Sequence, residues 1–191
     1  HFSGATGVVQ GHYFRWSSQQ RIVAKSKKRP FDPGMSKVSV SILGCGWFGM
    51  PLGKLLVSKD YNVKGSTTSV DKLELIKSEG MRPYLIDLQS NEGSNEFWDA
   101  DILVVTLPPR STQKLTDQVT KRLKRQIEIH DYQQVLVISS ISVYPDVHGV
   151  VSEADASYQS LSRSGISLLK YEDKLSQAAA GKEVILRFAG L

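Results

Sequence analysis

The amino-acid sequence predicts an α/β domain built on a doubly wound parallel sheet of about six strands, and three observations predict it. From Lys37 onward, short apolar runs alternate with segments of helical period, the pattern of a parallel sheet covered on both faces. The runs at 102–105 and 135–138 are continuously apolar, as strands buried on both sides require. A glycine-rich turn, Gly44-Cys45-Gly46-Trp47-Phe48-Gly49, follows the first run and opens the first helical segment.

The elements are legible in order. Val38 to Leu43 is the first strand and Met50 to Ser58 the first helix. Asn62 to Ser66 is the second strand, and Val70 to Ser78 the second helix, ended by Gly80. Pro83 to Ile86 gives a short third strand and Ile102 to Thr106 the fourth. Leu115, Val119, Leu123 and Ile127 then recur at four-residue spacing, an apolar stripe on one helix face. Val135 to Ser139 is the fifth strand, a helix runs from about Ser164 to Ala179, and Val184 to Phe188 is the sixth strand. Right-handed crossovers wind such units into a sheet whose ligands sit beyond the strand C-termini.

The 191 residues suffice for one buried core. No apolar run approaches the roughly 18 residues a membrane-spanning helix needs, so the chain reads as soluble with no membrane partner. One cysteine, Cys45, and scattered histidines exclude a disulfide framework and argue against a metal site. The net charge of +5 resides in residues 1–34, which hold six basic residues and one acid, while the remainder holds 18 of each sign. A nucleic-acid surface on the folded domain is therefore not expected.

Residues 1–34 show no sustained period and end in Arg29-Pro30-Phe31-Asp32-Pro33-Gly34, so they are expected to form a flexible basic leader before a domain spanning 35–191. The leader is either non-native or read-through sequence ahead of Met35, or an organellar transit peptide, because it is acid-poor and carries Arg and Ser. The first reading places the protein in the cytoplasm, the second in an organelle. The last strand ends three residues before Leu191, so a small C-terminal substrate region is expected to be missing from the chain.

The glycine turn carries the functional reading. Gly44 permits the tight turn, Gly46 lets the backbone approach a pyrophosphate, and Gly49 lets the helix pack on the sheet. The helix N-terminus then suits the phosphates without a lysine. Trp47 and Phe48 lie within this turn and are counted with the cofactor-binding residues. Cys45 reads as a packed turn residue rather than a nucleophile. At the end of the second strand, Lys64-Gly65-Ser66-Thr67-Thr68-Ser69 offers no carboxylate to repel a 2′-phosphate. The hydroxyls of Thr67 and Thr68, with Lys72, favour NADP over NAD, although the usual arginine is absent and the threonines also suit a helix start.

Taken together, these residues resemble the atypical extended short-chain dehydrogenase/reductases, Rossmann-fold relatives of the NAD-dependent epimerases and dehydratases. The resemblance covers Val38 to Leu191 and rests on five segments. They are Gly44 to Gly49, Asp87-Leu88, Thr106-Leu107-Pro108-Pro109, Ser139-Ser140-Ile141-Ser142-Val143-Tyr144, and Leu186-Arg187-Phe188-Ala189-Gly190-Leu191. It implies that Asp87 accepts from the adenine amino group, that Leu88 packs on the ring, and that Thr106, Leu107 and Pro108 line the cofactor opposite. It also implies that Ser140 donates a hydrogen bond to a substrate oxygen, which makes it the leading catalytic candidate.

The departure is the YxxxK motif, whose tyrosine donates the proton in this family and whose lysine lowers its pKa. Counted back from Glu172, the tyrosine place holds Ser164 and the lysine place Leu168, neither able to do acid/base work. Tyr158 and Tyr171 lack a lysine four residues on, and Arg163 and Arg187 are ambiguous between ligand binding and surface roles. Two functions follow: an NAD(P)-dependent oxidoreductase or epimerase acting on a small carbonyl or sugar-like substrate, or a nucleotide-binding sensor or scaffold without turnover. A two-domain hydroxyacid-type dehydrogenase would share the glycine turn but not explain Ser139 to Tyr144.

Overall fold

In a computed structural model the run Ser39–Leu43 forms the first strand, β1, at the middle of a six-stranded sheet. Residues 37–90, 93–107, 117–145, 149–158 and 162–189 are described, except for the side chains of Asp117 and Arg163. The expected leader, Leu115 of the helical stripe, Pro108 and Leu191 lie outside the described residues.

The other strands are β2 (Asn62–Thr67), β3 (Arg82–Leu85), β4 (Ile102–Val105), β5 (Gln134–Ser140) and β6 (Glu183–Phe188). Their spatial order is β3-β2-β1-β4-β5-β6 and every pairing is parallel. The order reverses between β1 and β4, the switch point at which such sheets open a crevice.

Helices α1 (Gly49–Ser58) and α2 (Leu73–Ser78) pack with Val40, Ile42, Val63 and Val104 into one apolar cluster. A larger cluster joins Leu103, Val105, Val135 and Val137 of the strands to the helices α4 (Asp117–Ile129) and α5 (Arg163–Ala179). The predicted stripe of α4 does this packing, since Val119, Leu123 and Ile127 are all buried. Truncating the fully buried Leu123 to alanine would cost about 2–5 kcal/mol.

The structure differs from the sequence reading in small ways with physical causes. A one-turn helix, α3 (Asn95–Trp98), stands before β4 and is too short to show a period. Ser94 caps it by accepting from the Glu96 amide at 3.2 Å, and it buries Phe97 and Trp98 in an edge-on pair with centroids 4.9 Å apart. The second helix begins with a 3-10 turn, Val70–Lys72, and only Leu73–Ser78 is α-helical. No helix among the described residues is long and apolar enough to cross a membrane.

Candidate functional site

The C-terminal ends of β1, β2, β3 and β4 surround a cleft of about 370 Å³. Its walls bring together Gly44 and Gly46 of the glycine turn, Thr67 and Thr68 after β2, Asp87 and Leu88 after β3, and Thr106 and Leu107 after β4. These are eight of the residues singled out in the sequence, drawn from four connections. Pro108 lies outside the described residues, while Trp47, Phe48, Gly49 and Ser140 are not part of the cleft wall.

Local chemistry builds each wall. Gly44 has φ +102°, in the region that disfavours side chains, and its amide donates to Ser66 Oγ at 3.0 Å. The Cys45 amide donates to the Ser66 carbonyl at 2.7 Å, which ties the turn to β2. Thr106 locks the turn from the opposite side: its hydroxyl lies within hydrogen-bonding reach of the Leu43 carbonyl, at 3.0 Å, and of the Gly44 carbonyl. Gly49 is required by packing, because a Cβ there would stand 2.2 Å from the Gly44 carbonyl oxygen. At Gly46 a Cβ would meet nothing within 4 Å. The space beside that backbone is open, as a phosphate cradle needs.

The cleft has few charges. Asp87 closes its own turn by accepting from the Gln89 amide at 2.7 Å with Oδ1, which leaves Oδ2 available to a ligand donor. Arg122 of α4 donates to the Leu88 carbonyl at 2.7 Å and to the Gln89 carbonyl, fixing the segment that carries Leu88. Thr67 is buried and accepts from the Ser69 amide at 3.1 Å, while Thr68 and Lys72 are exposed at the rim. The helix-start role weighed for the threonines is not what is seen: Ser69 precedes the 3-10 turn Val70–Lys72 without a side-chain cap, Thr67 only bonds the Ser69 amide, and the cation at the rim is Lys72. Burial pushes the Cys45 thiol up to about 11, partly offset by its hydrogen bond from the Ser66 backbone, so the thiol stays protonated at neutral pH.

The side chains of the turn diverge. Trp47 is 79% exposed, and the Phe48 ring packs against Phe188 at the end of β6, with centroids 5.3 Å apart.

The serine run starts inside β5, which extends one residue further than expected, and continues past it. Ser140 ends the strand, and its Oγ accepts weakly from the Ser142 amide at 3.3 Å, capping the 3-10 turn Ile141–Val143. The two places counted back from Glu172 both lie on α5. Leu168 is buried in the apolar core, and Ser164 Oγ pairs with Ser162 Oγ at 2.9 Å. Tyr158 binds the Asp173 carboxylate, and that hydrogen bond pushes its phenol up to about 12. The Tyr171 hydroxyl is buried without a hydrogen-bond partner, and burial raises its pKa further.

Sequence reasoning missed one group. Glu172 is 1% exposed, accepts from Ser139 Oγ, and receives Arg187 Nη2 at 2.7 Å and Nε at 3.3 Å. Arg187 Nη1 also donates to the Tyr144 hydroxyl at 3.0 Å. Burial works against the guanidinium's charge, but the bonds to Glu172 and Tyr144 outweigh it and raise its pKa. A glutamate at the third position of a helical series 164, 168, 172, all on one face, was the available signal.

No family model matches the chain. It is 32% identical over 160 residues to protein YeeZ of Escherichia coli strain K12, an alignment covering 80% of this chain and 58% of that protein. The same values hold for YeeZ of Escherichia coli O157:H7. The chain thus spans a little over half the length of the curated relatives it matches. Among solved structures it is similar to UDP-glucuronic acid 4-epimerase from Bacillus cereus in complex with UDP-glucuronic acid and NAD. That likeness has TM-score 0.64 and 22% identity, and covers 78% of this chain and 56% of that one. A Methylobacillus flagellatus protein assigned as an NAD-dependent epimerase/dehydratase gives TM-score 0.60 and 22% identity, covering 81% and 55%. A conserved protein of unknown function from Silicibacter pomeroyi gives 0.59 and 20%, covering 81% and 53%. At these identities the likeness establishes the fold alone: a Rossmann-type parallel sheet.

Proposed function

We propose that this chain is the nucleotide-binding part of an atypical extended short-chain dehydrogenase/reductase, an NAD(P)-dependent oxidoreductase or epimerase acting on a small carbonyl or sugar-like substrate. One observation carries the reading: glycine turn, Thr67-Thr68, Asp87-Leu88 and Thr106-Leu107, scattered over more than sixty residues of sequence, line one cleft at the strand C-termini. The likeness to a Bacillus cereus epimerase holding NAD supports it.

The residues fit such a cofactor. The open backbone at Gly46 and the N-terminus of α1 receive the pyrophosphate. Asp87 accepts from the adenine amino group and Leu88 packs on the ring, with Thr106 and Leu107 on the other side. Thr68 and Lys72 at the rim receive a 2′-phosphate, which favours NADP over NAD. The bound nicotinamide would supply or accept the hydride. Ser140, whose Oγ lone pair is occupied by the Ser142 amide, gives its O–H to the substrate oxygen.

A second reading, a nucleotide-binding sensor or scaffold without turnover, is favoured by one specific observation. The places that carry the proton donor and its lysine hold Ser164 and the buried Leu168. Supplying NADPH with a panel of carbonyl compounds and nucleotide sugars, and following oxidation of the cofactor, separates the two. Turnover lost in Ser140→Ala supports the enzyme, and tight binding with no turnover supports the sensor.

A further inference from the structure

Resting on the reading of Ser140 as the substrate-orienting donor, we infer that Glu172 and Arg187 are positioning residues that clamp the turn Ser140 to Tyr144 at both of its ends. The two ends are held by one ion pair. At the near end, Ser139 on β5 gives its hydroxyl proton to Glu172 on α5. Neighbouring strand residues point to opposite faces of a sheet, so fixing Ser139 on one face fixes the pleat that presents Ser140 on the other. At the far end, Arg187 on β6 donates to the Tyr144 hydroxyl at 3.0 Å and lays its guanidinium carbon 5.3 Å from the centre of the Tyr144 ring. Ser139 and Arg187 are direct register partners across β5 and β6, which places them together on the α5 side.

The chemistry of the pair suits a clamp rather than a reactive group. Glu172 is 1% exposed and both its oxygens are engaged, so it has no access to a substrate. The planar fork of Arg187 reaches Glu172 through Nε and Nη2 and Tyr144 through Nη1, a division that the single ammonium of a lysine cannot copy. Glu172 stands one and two helical turns beyond Leu168 and Ser164, on the same face of α5. The acid/base pair is absent from that face, but the face retains its hold on the serine turn.

The test compares Ser139→Ala, which removes one uncharged bond, and Arg187→Lys, which keeps the charge, with the parent chain. Hydrogen exchange is read at the amides of Ile141 to Tyr144 and, as an internal control, at those of β4. Both variants are expected to speed exchange at 141–144 by roughly tenfold or more while β4 and NADPH affinity stay within about twofold of the parent. Hydride transfer should fall roughly tenfold in kcat with the KM for cofactor unchanged. Unchanged exchange at 141–144, or an equal rise in β4, overturns the clamp. If the parent binds cofactor but transfers no hydride, the role of Ser140 fails, and the exchange measurement still decides the clamp.

Discussion

A Cβ placed on Gly49 would lie 2.2 Å from the carbonyl oxygen of Gly44, whereas one on Gly46, between them, would touch nothing within 4 Å. The three glycines of one motif therefore have separable purposes. Gly44 and Gly49 let a turn and a helix close on each other, and Gly46 keeps a surface clear.

This separation predicts opposite phenotypes. Gly49→Ala forces backbone apart and is expected to cost about 3 kcal/mol or more, a fall in Tm of roughly 10 °C. Gly46→Ala is expected to leave Tm within a few degrees yet weaken NAD(P)H binding at least tenfold. Thermal melts and cofactor titrations on the two variants check the pair, and a Gly46→Ala chain that binds normally would remove the phosphate role.

Nucleotide choice rests on the rim of the cleft. Lys72 is its exposed cation next to Thr68, and no carboxylate follows β2 before Asp71. Lys72→Ala is expected to weaken NADPH binding by about 5- to 10-fold while leaving NADH unchanged, an effect that shrinks as salt is raised. A parent chain that binds NADH much more tightly than NADPH would contradict this preference.

The thiol of Cys45 gives a prediction about pH. Its folded pKa is raised to about 11, so the folded state holds the proton more tightly than the unfolded chain. The associated stability is complete below the unfolded pKa, near 9, and is lost as pH rises towards 11. Alkylation at pH 8 is therefore expected to be on the order of a hundredfold slower than for a free thiol, rising about tenfold per pH unit up to pH 10. Rapid, pH-independent labelling at pH 8 would show that the turn opens readily.

Ser140 is tested by truncation. Ser140→Ala is expected to lower kcat by roughly 10²–10⁴-fold, the range for loss of a positioned proton or hydrogen-bond donor, with Tm little changed because among the described residues the side chain makes only the 3.3 Å bond to Ser142. Full activity in this variant would exclude the role.

Much of this fold is legible in the sequence because its signals are local. β1, the glycine turn, α1 and β2 follow one another within thirty residues, and each carries its own period or punctuation. The stripe of Val119, Leu123 and Ile127 likewise announces a buried helix face. Of the cleft residues, Gly44, Gly46, Thr67 and Thr68 were legible from the glycine motif and the strand that follows it, whereas Asp87, Leu88, Thr106 and Leu107 were legible only through family resemblance. What stayed hidden is held together across the chain. Glu172 finds Ser139 over 33 positions and Arg187 over 15, and the four-residue series on its helix marks Glu172 itself but neither partner. The helix at Asn95–Trp98 was invisible for the opposite reason, since a single turn has no period to read. Trp47 and Phe48 share the motif with Gly46, yet their side chains leave the cleft, because a sequence run fixes the backbone path better than the direction of each side chain.

The central claim is that the cleft holds a nicotinamide dinucleotide, and a fluorescence titration of NADPH and NADH against the full chain tests it most directly. Saturable binding of at least one of them is expected, tighter for NADPH, and lost in Gly46→Ala at unchanged Tm. No binding of either nucleotide to the folded chain would contradict it.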